Sequence, residues 1–213
     1  MFYHGAKEIF PVLDKYEALA KREELNADDV ILVGEYLGRT IDGFLSPLPS
    51  LLKNKVKDKR IVFSTTNGTV ALKKCSAADE IYAASFLNEA KLANYLVERY
   101  GASNFLLVCS GSSNAFNLED LYGAGSFINK LIEIGQEKNL EWQLTDSALA
   151  SLYFYKGNEQ RGEKLLKASR VGQSLVKAGF GDEVTYILQK DACPVIPKLQ
   201  GEVLKVVESG GIE

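Results

Sequence analysis

The feature that most constrains the fold is an alternation of short apolar runs with amphipathic stretches through the first two-thirds of the chain. Each run has four to six residues, is rich in Val, Ile, Leu or Phe, and ends at polar or glycine residues. This pattern is typical of buried strands. The predicted strands are residues 8–12, 30–33, 60–63, 80–83 and 104–109.

Helix signals lie between these runs. Asp14 is followed three residues later by Glu17, the spacing of a capping box. A helix is predicted from Asn88 to Tyr100, and a second capping box formed by Asn117 and Asp120 precedes a long helix that reaches about Lys138. Strands that alternate with helices predict an α/β fold in three layers, with a mixed, largely parallel sheet covered by helices on both faces.

The pattern changes after residue 140. Residues 145–155, 162–178 and 182–190 are predicted to be helical, and residues 193–196, which lie between prolines, are predicted to form an edge strand. No linker rich in Pro, Gly or Ser separates the two regions. We therefore predict a single domain over residues 1–213, with residues 140–192 mostly helical.

Composition and charge exclude several classes of protein. The 213 residues are 46% hydrophobic and 25% charged, ordinary values for a globular protein. A net charge of −3 argues against a dedicated nucleic-acid-binding protein. The longest apolar runs are too short to cross a bilayer, and no signal peptide is recognisable. We expect a partner that is neither nucleic acid nor membrane.

The cysteines argue against a zinc site. Cys75, Cys109 and Cys193 are widely spaced, no CxxC pair is present, and His4 is the only histidine. An odd number of separated thiols fits a reducing compartment. The sequence therefore predicts a cytoplasmic protein.

Polar loops follow four of the predicted strands. In an open α/β sheet, ligands gather outside the carboxyl ends of the strands. Hydroxyl groups, amides and backbone N–H groups at helix N-termini bind phosphate and other oxyanions. The loops are Gly34-Glu35-Tyr36, Ser64-Thr65-Thr66-Asn67-Gly68-Thr69, Ala84-Ser85-Phe86-Leu87-Asn88 and Ser110-Gly111-Ser112-Ser113-Asn114.

The segment Thr65-Thr66-Asn67-Gly68-Thr69 is the most specific of these loops. Asn67-Gly68 favours a tight turn with positive φ, after which Thr69 would cap a short helix. The alternative interpretation is a simple strand-to-helix turn. Neither a GxxxxGK[ST] loop nor a GxGxxG motif after a strand is present, which argues against nucleotide binding.

Three carboxylates are candidate metal ligands. Glu35 lies directly after a predicted strand, and Glu119 and Asp120 open a predicted helix. Mg²⁺ is often held by one or two carboxylates together with substrate oxygens. For Glu119 and Asp120 the alternative is an ordinary interaction with the helix dipole, whereas Glu35, after a buried strand, requires a partner.

The order of these motifs resembles the 2-phosphosulfolactate phosphatase (ComB) family. The resemblance rests on Gly34-Glu35, the Thr65–Thr69 motif, Ser85-x-x-Asn88, Cys109-Ser110-Gly111 and Glu119-Asp120, and it extends over nearly the whole chain. It implies a Mg²⁺-dependent phosphatase that hydrolyses 2-phospho-3-sulfolactate to 3-sulfolactate and phosphate, a step of coenzyme M biosynthesis. It also implies an α/β/α fold with a mixed sheet.

The chain departs from the family pattern at three places. Family members begin with an extra strand of the form VIDVLRAT, which supplies an Asp and an Arg expected at the site. The Arg that follows Gly-Glu in the family is Tyr36 here, and the family's Asn-Ser-Pro is replaced by Leu45-Ser46-Pro47. We expect the natural gene to encode the extra strand, and we expect the present chain to self-associate as a homo-oligomer.

The resemblance and the loops together assign roles to individual residues. The substrate is expected to be a small anionic phosphate ester, and Mg²⁺ the cofactor. Phosphoryl transfer requires mainly positioning and charge neutralisation, so a site without histidine is adequate. The predicted catalytic residues are Glu35, Asn67 and Asp120, the phosphate-binding residues are Thr65, Thr66, Gly68, Thr69, Ser85, Asn88, Ser110 and Gly111, and the metal ligands are Glu35, Glu119 and Asp120.

Two alternatives to this function stay open at the level of sequence. The first is a non-catalytic protein that binds anions or phosphate on the same scaffold, which the departures from the family pattern favour. The second is a phosphatase for another small phosphorylated acid.

Overall fold

The computed structural model describes residues 1–101, 103–113 and 115–207. In this part of the chain, seven strands form one mixed sheet. They are β1 (Glu8–Val12), β2 (Val30–Tyr36), β3 (Arg39–Thr40), β4 (Arg60–Ser64), β5 (Ile81–Tyr82), β6 (Pro197–Gln200) and β7 (Val203–Val206).

Helices follow most of the strands and make up the stretch between β5 and β6. Short 3₁₀ turns lie at Phe2–His4, Phe86–Asn88 and Glu159–Arg161. The α-helices are α1 (Lys15–Leu25), α2 (Pro49–Leu52), α3 (Gly68–Lys74), α4 (Glu89–Tyr100), α5 (Leu118–Glu137), α6 (Asp146–Asn158), α7 (Gly162–Ala168), α8 (Arg170–Lys177) and α9 (Gly181–Ile187).

The strand order in the sheet is β3-β2-β4-β1-β7-β6-β5. The three central strands, β2, β4 and β1, are parallel, and the outer strands join them in antiparallel pairs. The predicted α/β class and the mixed sheet with a parallel core are therefore confirmed.

The central strands are apolar on both faces because successive side chains point to opposite sides. Val30, Leu32 and Val62 pack with Ala18 of α1 on one face. The opposite face belongs to a second cluster, which contains Ala6, Ile9, Val33, Leu52, Val56, Ile61 and Leu204. Burial on both faces explains why these strands are continuous apolar runs.

The chain divides into two compact units. Unit 1 consists of Met1–Ala83, Ser112–Ala115 and Val195–Glu213, and it contains the whole sheet. Unit 2 consists of Ala84–Gly111 and Phe116–Pro194, and it is helical around a core of Tyr122, Tyr155, Leu166 and Val184. The single domain expected over residues 1–213 stays a prediction.

Several predicted boundaries are wrong. Residues 104–109 form no strand, and the last predicted strand, 193–196, is displaced to β6, which begins at Pro197. The strand expected at 80–83 shortens to β5, and the helix expected at 182–190 is α9.

The helix expected over 162–178 breaks at Ser169. The Ser169 hydroxyl accepts a hydrogen bond from the Gly172 N–H and so caps α8. A Cβ on Gly172 would lie 1.9 Å from the Leu166 carbonyl oxygen, so the close passage of α8 over the end of α7 requires glycine. The amphipathic pattern continues through this break, which is why the sequence predicts one helix.

Across the described ranges, no helix combines the length and the apolar character that a membrane span requires.

Candidate active site

The register of the central strands determines which polar residues meet in unit 1. β2 and β4 are parallel, and Gly34 lies opposite Ser64. A Cβ on Gly34 would lie 2.5 Å from the Ser64 carbonyl oxygen, so glycine allows the two strands to approach. Glu35, the next residue of β2, therefore lies beside the Thr65-Thr66 pair, which follows β4.

The Glu35 carboxylate is a hydrogen-bond acceptor for two loops. Its Oε1 accepts from the Thr66 N–H at 2.8 Å. Its Oε2 accepts from the Gly38 N–H at 2.7 Å and from the Thr66 hydroxyl at 3.1 Å. The expectation that Glu35 needs a partner is thus confirmed, and the carboxylate joins the β2–β3 turn to the loop after β4.

Thr65 and Thr69 bond to each other at the start of α3. The Thr69 N–H donates to the Thr65 hydroxyl, and the Thr65 N–H donates to the Thr69 hydroxyl, each at 3.0 Å. Thr69 is 1% exposed. The prediction that Thr69 caps the helix is wrong, because the acceptor for the backbone of the first turn is Thr65.

Asn67 and Gly68 do not form the turn that the sequence predicts. Asn67 has φ −130°, and Gly68 is the first residue of α3 rather than a residue with positive φ. The Asn67 Oδ1 accepts a hydrogen bond from the Ser113 N–H at 3.0 Å. This leaves the Asn67 amide nitrogen as a donor that none of the described residues accepts from.

Asp120 anchors a loop in unit 2. Its Oδ2 accepts from the Gly111 N–H at 2.7 Å and from the Ser110 hydroxyl at 3.4 Å. Gly111 has φ +69°, a conformation that favours glycine. The predicted capping box of Asn117 and Asp120 is wrong, since Asn117 is the N-cap residue but its side chain makes no capping bond.

Burial raises the pKa of Asp120 above its ordinary value, and the charge of Glu119 raises it further, while the bonds from Gly111 and Ser110 oppose the shift. The net shift is upward mainly because burial disfavours the charged carboxylate. A cation or a proton beside Asp120 would offset this cost.

Glu119 lies beside Ser169. The Ser169 hydroxyl hydrogen-bonds to Glu119 Oε1, whereas Glu119 Oε2 is buried without a hydrogen-bond partner among the described residues. A buried carboxylate oxygen without a donor is costly unless a proton or cation reaches it.

Ser85 and Asn88 bond to each other across the 3₁₀ turn Phe86–Asn88. Asn88 Oδ1 accepts from the Ser85 N–H at 2.8 Å and from the Ser85 hydroxyl at 3.0 Å. Asn88 is buried. The pair that the sequence predicts as phosphate-binding is therefore brought together, and it fixes this turn.

The sequence of the chain matches the model of a known family. The family model described as 2-phosphosulpholactate phosphatase matches residues 1–202. The chain belongs to the 2-phosphosulpholactate phosphatase family. The resemblance predicted from the motifs is confirmed.

Curated relatives of this family carry the name "Probable 2-phosphosulfolactate phosphatase". One from Caldicellulosiruptor saccharolyticus is 37% identical over 96% of this chain and 84% of its own length. One from Clostridium perfringens is 34% identical over 98% of this chain and 83% of its own length. One from Caldanaerobacter subterraneus subsp. tengcongensis is 30% identical over 95% of this chain and 82% of its own length.

The predicted metal ligands of this family member share one property. Glu35, Glu119 and Asp120 form no ion pair with any lysine, arginine or histidine in the described part of the chain. Within the same residues no group of three or more His, Cys, Asp or Glu side chains forms a metal cluster. That Mg²⁺ is the cofactor and that these carboxylates are its ligands stay predictions.

The structure also shows contacts of three residues that the sequence analysis does not single out. Ser113 orients Asn67, and Ser169 contacts Glu119. Glu89, buried at the start of α4, lies near Lys190. An acid in the first turn of a helix is so common that the sequence alone gives no signal for Glu89. The contacts of Ser113 with Asn67 and of Ser169 with Glu119 join residues far apart in the chain, so no local pattern predicts them.

Proposed function

We propose that this chain is a Mg²⁺-dependent phosphatase that hydrolyses 2-phospho-3-sulfolactate to 3-sulfolactate and phosphate. The proposal rests mainly on the family match over residues 1–202. The names of the relatives support the substrate. The reaction would be the coenzyme M biosynthetic step and would take place in the cytoplasm.

The carboxylates without ion pairs are the proposed metal ligands. In unit 2, Asp120 is a partly desolvated carboxylate whose pKa is raised by burial and by Glu119, and among the described residues Glu119 Oε2 is buried without a hydrogen-bond donor. Glu35 is the corresponding candidate in unit 1. Bound Mg²⁺ would neutralise charge on the phosphate oxygens.

Neutral donors are the proposed phosphate-binding groups. Ser113 bonds to the Asn67 amide oxygen, and the amide nitrogen has no acceptor among the described residues. Thr66 and Thr65 present their loop in a conformation that Glu35 and Thr69 hold in place. In unit 2, Ser110 and Gly111 belong to a loop that is held by their hydrogen bonds to the Asp120 carboxylate. In each unit by itself, such donors would orient a phosphate ester without supplying a histidine base.

Phosphate release from 2-phospho-3-sulfolactate tests the proposal. We expect turnover that requires Mg²⁺ and is lost in EDTA. Asp120→Asn keeps the oxygen that accepts from Gly111 but removes the charge, so we expect turnover to fall about a hundredfold or more and the Mg²⁺ concentration for half-activity to rise. Glu35→Gln is expected to act in the same direction.

Asp182→Asn is the matched control, because Asp182 is an exposed acid in the first turn of α9. It should leave turnover and Mg²⁺ dependence unchanged. Full activity of Asp120→Asn and Glu35→Gln in EDTA would contradict the metal assignment. Binding of 3-sulfolactate or phosphate in calorimetry without any turnover would favour a non-catalytic anion-binding protein instead.

A further inference from the structure

Thr66 uses both of its hydrogen-bond donors on the carboxylate of Glu35. The Thr66 N–H donates to Glu35 Oε1 at 2.8 Å, and the Thr66 hydroxyl donates to Oε2 at 3.1 Å. A threonine side chain has a single hydrogen to donate, so this hydroxyl has none left for a second acceptor. In this arrangement Thr66 therefore has no donor to offer a phosphate oxygen.

The Leu37 N–H fixes the direction of the Thr66 hydroxyl. This N–H donates to the Thr66 hydroxyl oxygen at 2.7 Å. The hydroxyl is thus an acceptor toward Leu37, and its hydrogen belongs to the Glu35 carboxylate, which can only accept when it is ionised. A phosphate oxygen could receive that hydrogen only if the bond to Glu35 were broken.

The turn between β2 and β3 has a backbone conformation that needs support from its surroundings. Leu37 has φ +51° and Gly38 has φ +78°. The left-handed region is unfavourable for leucine, and a residue of this kind stays there only where its surroundings hold it. The bonds from Leu37 to Thr66 and from Gly38 to Glu35, each 2.7 Å long, provide that support. The turn, Glu35 and Thr66 therefore form one connected network.

Thr66 also determines the orientation of the Glu35 carboxylate. It contacts both carboxylate oxygens, and contacts on different oxygens restrict rotation of the carboxylate plane. Together with the bond from Gly38, Oε2 accepts two hydrogen bonds and Oε1 accepts one among the described residues. Each carboxylate oxygen has about two accepting positions, so one position on Oε1 stays open.

We propose that Thr66 is a positioning residue, which acts on the reaction through Glu35 and not through direct contact with the phosphate. This inference rests on the proposed function and deepens it, because the sequence motif alone predicts that Thr66 binds phosphate. Thr66 holds the open position of Glu35 Oε1 in one orientation, where it can accept a cation or a donor of the substrate. Groups that are fixed before the reaction need no rearrangement during it, which lowers the barrier.

Phosphate release from 2-phospho-3-sulfolactate distinguishes the two roles of Thr66. Thr66→Val removes the hydroxyl but keeps the N–H and nearly the same shape. Because this change frees a positioned carboxylate, we expect kcat to fall at least about tenfold and KM for the ester to change less than about twofold. Thr66→Ser, which keeps the hydroxyl, should restore most of kcat. A rise in KM at unchanged kcat would show that Thr66 binds phosphate and would overturn the proposal.

Thr40→Val is the matched control for Thr66→Val. Thr40 is exposed and lies opposite Glu35 in the β2–β3 pair. None of the hydrogen bonds that the Glu35 carboxylate accepts within the described chain comes from Thr40. The same substitution at this position should therefore leave both kcat and KM unchanged.

Amide hydrogen exchange at Gly38 reports the position of Glu35 without any turnover. The Gly38 N–H donates to the Glu35 carboxylate, so its exchange rate rises when that carboxylate moves away. Thr66→Val should speed exchange of the Gly38 amide at least about tenfold, whereas Thr40→Val should not. Wild-type protein that releases no phosphate would contradict the proposed function, and the Gly38 amide would then decide alone whether Thr66 positions Glu35. An unchanged Gly38 amide in Thr66→Val would overturn the positioning role.

Discussion

Lys190 Nζ lies 3.7 Å from Oε2 of Glu89, whose side chain is 1% exposed. The ammonium group donates instead to the Tyr155 hydroxyl at 2.6 Å. Neither carboxylate oxygen of Glu89 has a hydrogen-bond partner in the described part of the chain. Burial therefore raises the pKa of Glu89, although Ser126 and Lys190 favour the charged form.

The raised pKa predicts that the protein loses stability as the pH rises. Folded Glu89 binds its proton more tightly than unfolded Glu89, so the free energy of unfolding falls between the unfolded pKa and the higher folded pKa. Glu89→Gln removes this titration. We expect urea unfolding at about pH 8 to show Glu89→Gln more stable by about 1 kcal/mol, with little difference at about pH 4.

Glu133 provides a control of opposite sign. The hydrogen bond from Lys130 lowers the pKa of Glu133. The stability that the Glu133–Lys130 pair contributes is present above the pKa that Glu133 has in the unfolded chain, and it is lost as the pH falls. Glu133→Gln should therefore lower stability slightly at about pH 8, because the pair is partly exposed and screened by solvent. If Glu89→Gln and Glu133→Gln changed the free energy of unfolding at about pH 8 in the same direction, the opposite pKa shifts of the two carboxylates would be contradicted.

Thr69→Val should loosen the loop that precedes α3. Valine has the shape of threonine but leaves the Thr65 N–H and carbonyl without the hydroxyl that each now contacts. Because Thr69 is buried, we expect a loss of about 1–3 kcal/mol in thermal or urea unfolding. Thr40→Val, at an exposed position of β3, should change stability by no more than about 0.5 kcal/mol. Equal effects at the two positions would show that the Thr65–Thr69 bonds contribute nothing.

Gly125→Ala should disrupt the packing of α5 on α6. A Cβ on Gly125 would lie 2.1 Å from the Ser151 carbonyl oxygen and 2.7 Å from the Tyr155 Cβ. Backbone atoms of α6 cannot yield, so a loss of at least about 2 kcal/mol is expected in urea unfolding.

Gly123, two residues earlier on α5, is the matched control for Gly125. A Cβ there would meet Phe86 at an ordinary distance of 3.6 Å. Gly123→Ala should stabilise the protein by up to about 1 kcal/mol through helix propensity. A stable Gly125→Ala variant would show that α5 and α6 do not approach as closely as the structure places them.

The elements that sequence predicted well are those with a complete local signal. β1 is the predicted strand 8–12, because its alternating residues are apolar on both faces. α1 begins after Asp14, whose carboxylate accepts from the Tyr16 and Glu17 N–H groups. Pattern and capping both act within a few residues, so the sequence contains all the information needed.

The failures arise where a distant partner decides the outcome. Residues 104–109 have strand propensity, but a strand also needs a neighbour to pair with. Asp120 has capping-box spacing, yet it bonds to Gly111. The need of Glu35 for a partner was predictable, whereas the identity of Thr66 as that partner follows only from the register of β2 on β4.

The pairing of β1 with β7 has a consequence for the time course of synthesis. Ile9 pairs with Leu204, so the two strands leave the ribosome 195 residues apart. At about 5–20 residues per second, roughly 10–40 s pass between them. Residues 84–194, most of which belong to the helical unit 2, emerge during that interval. The nascent sheet therefore waits with the β7 side of β1 uncovered until the last strands arrive.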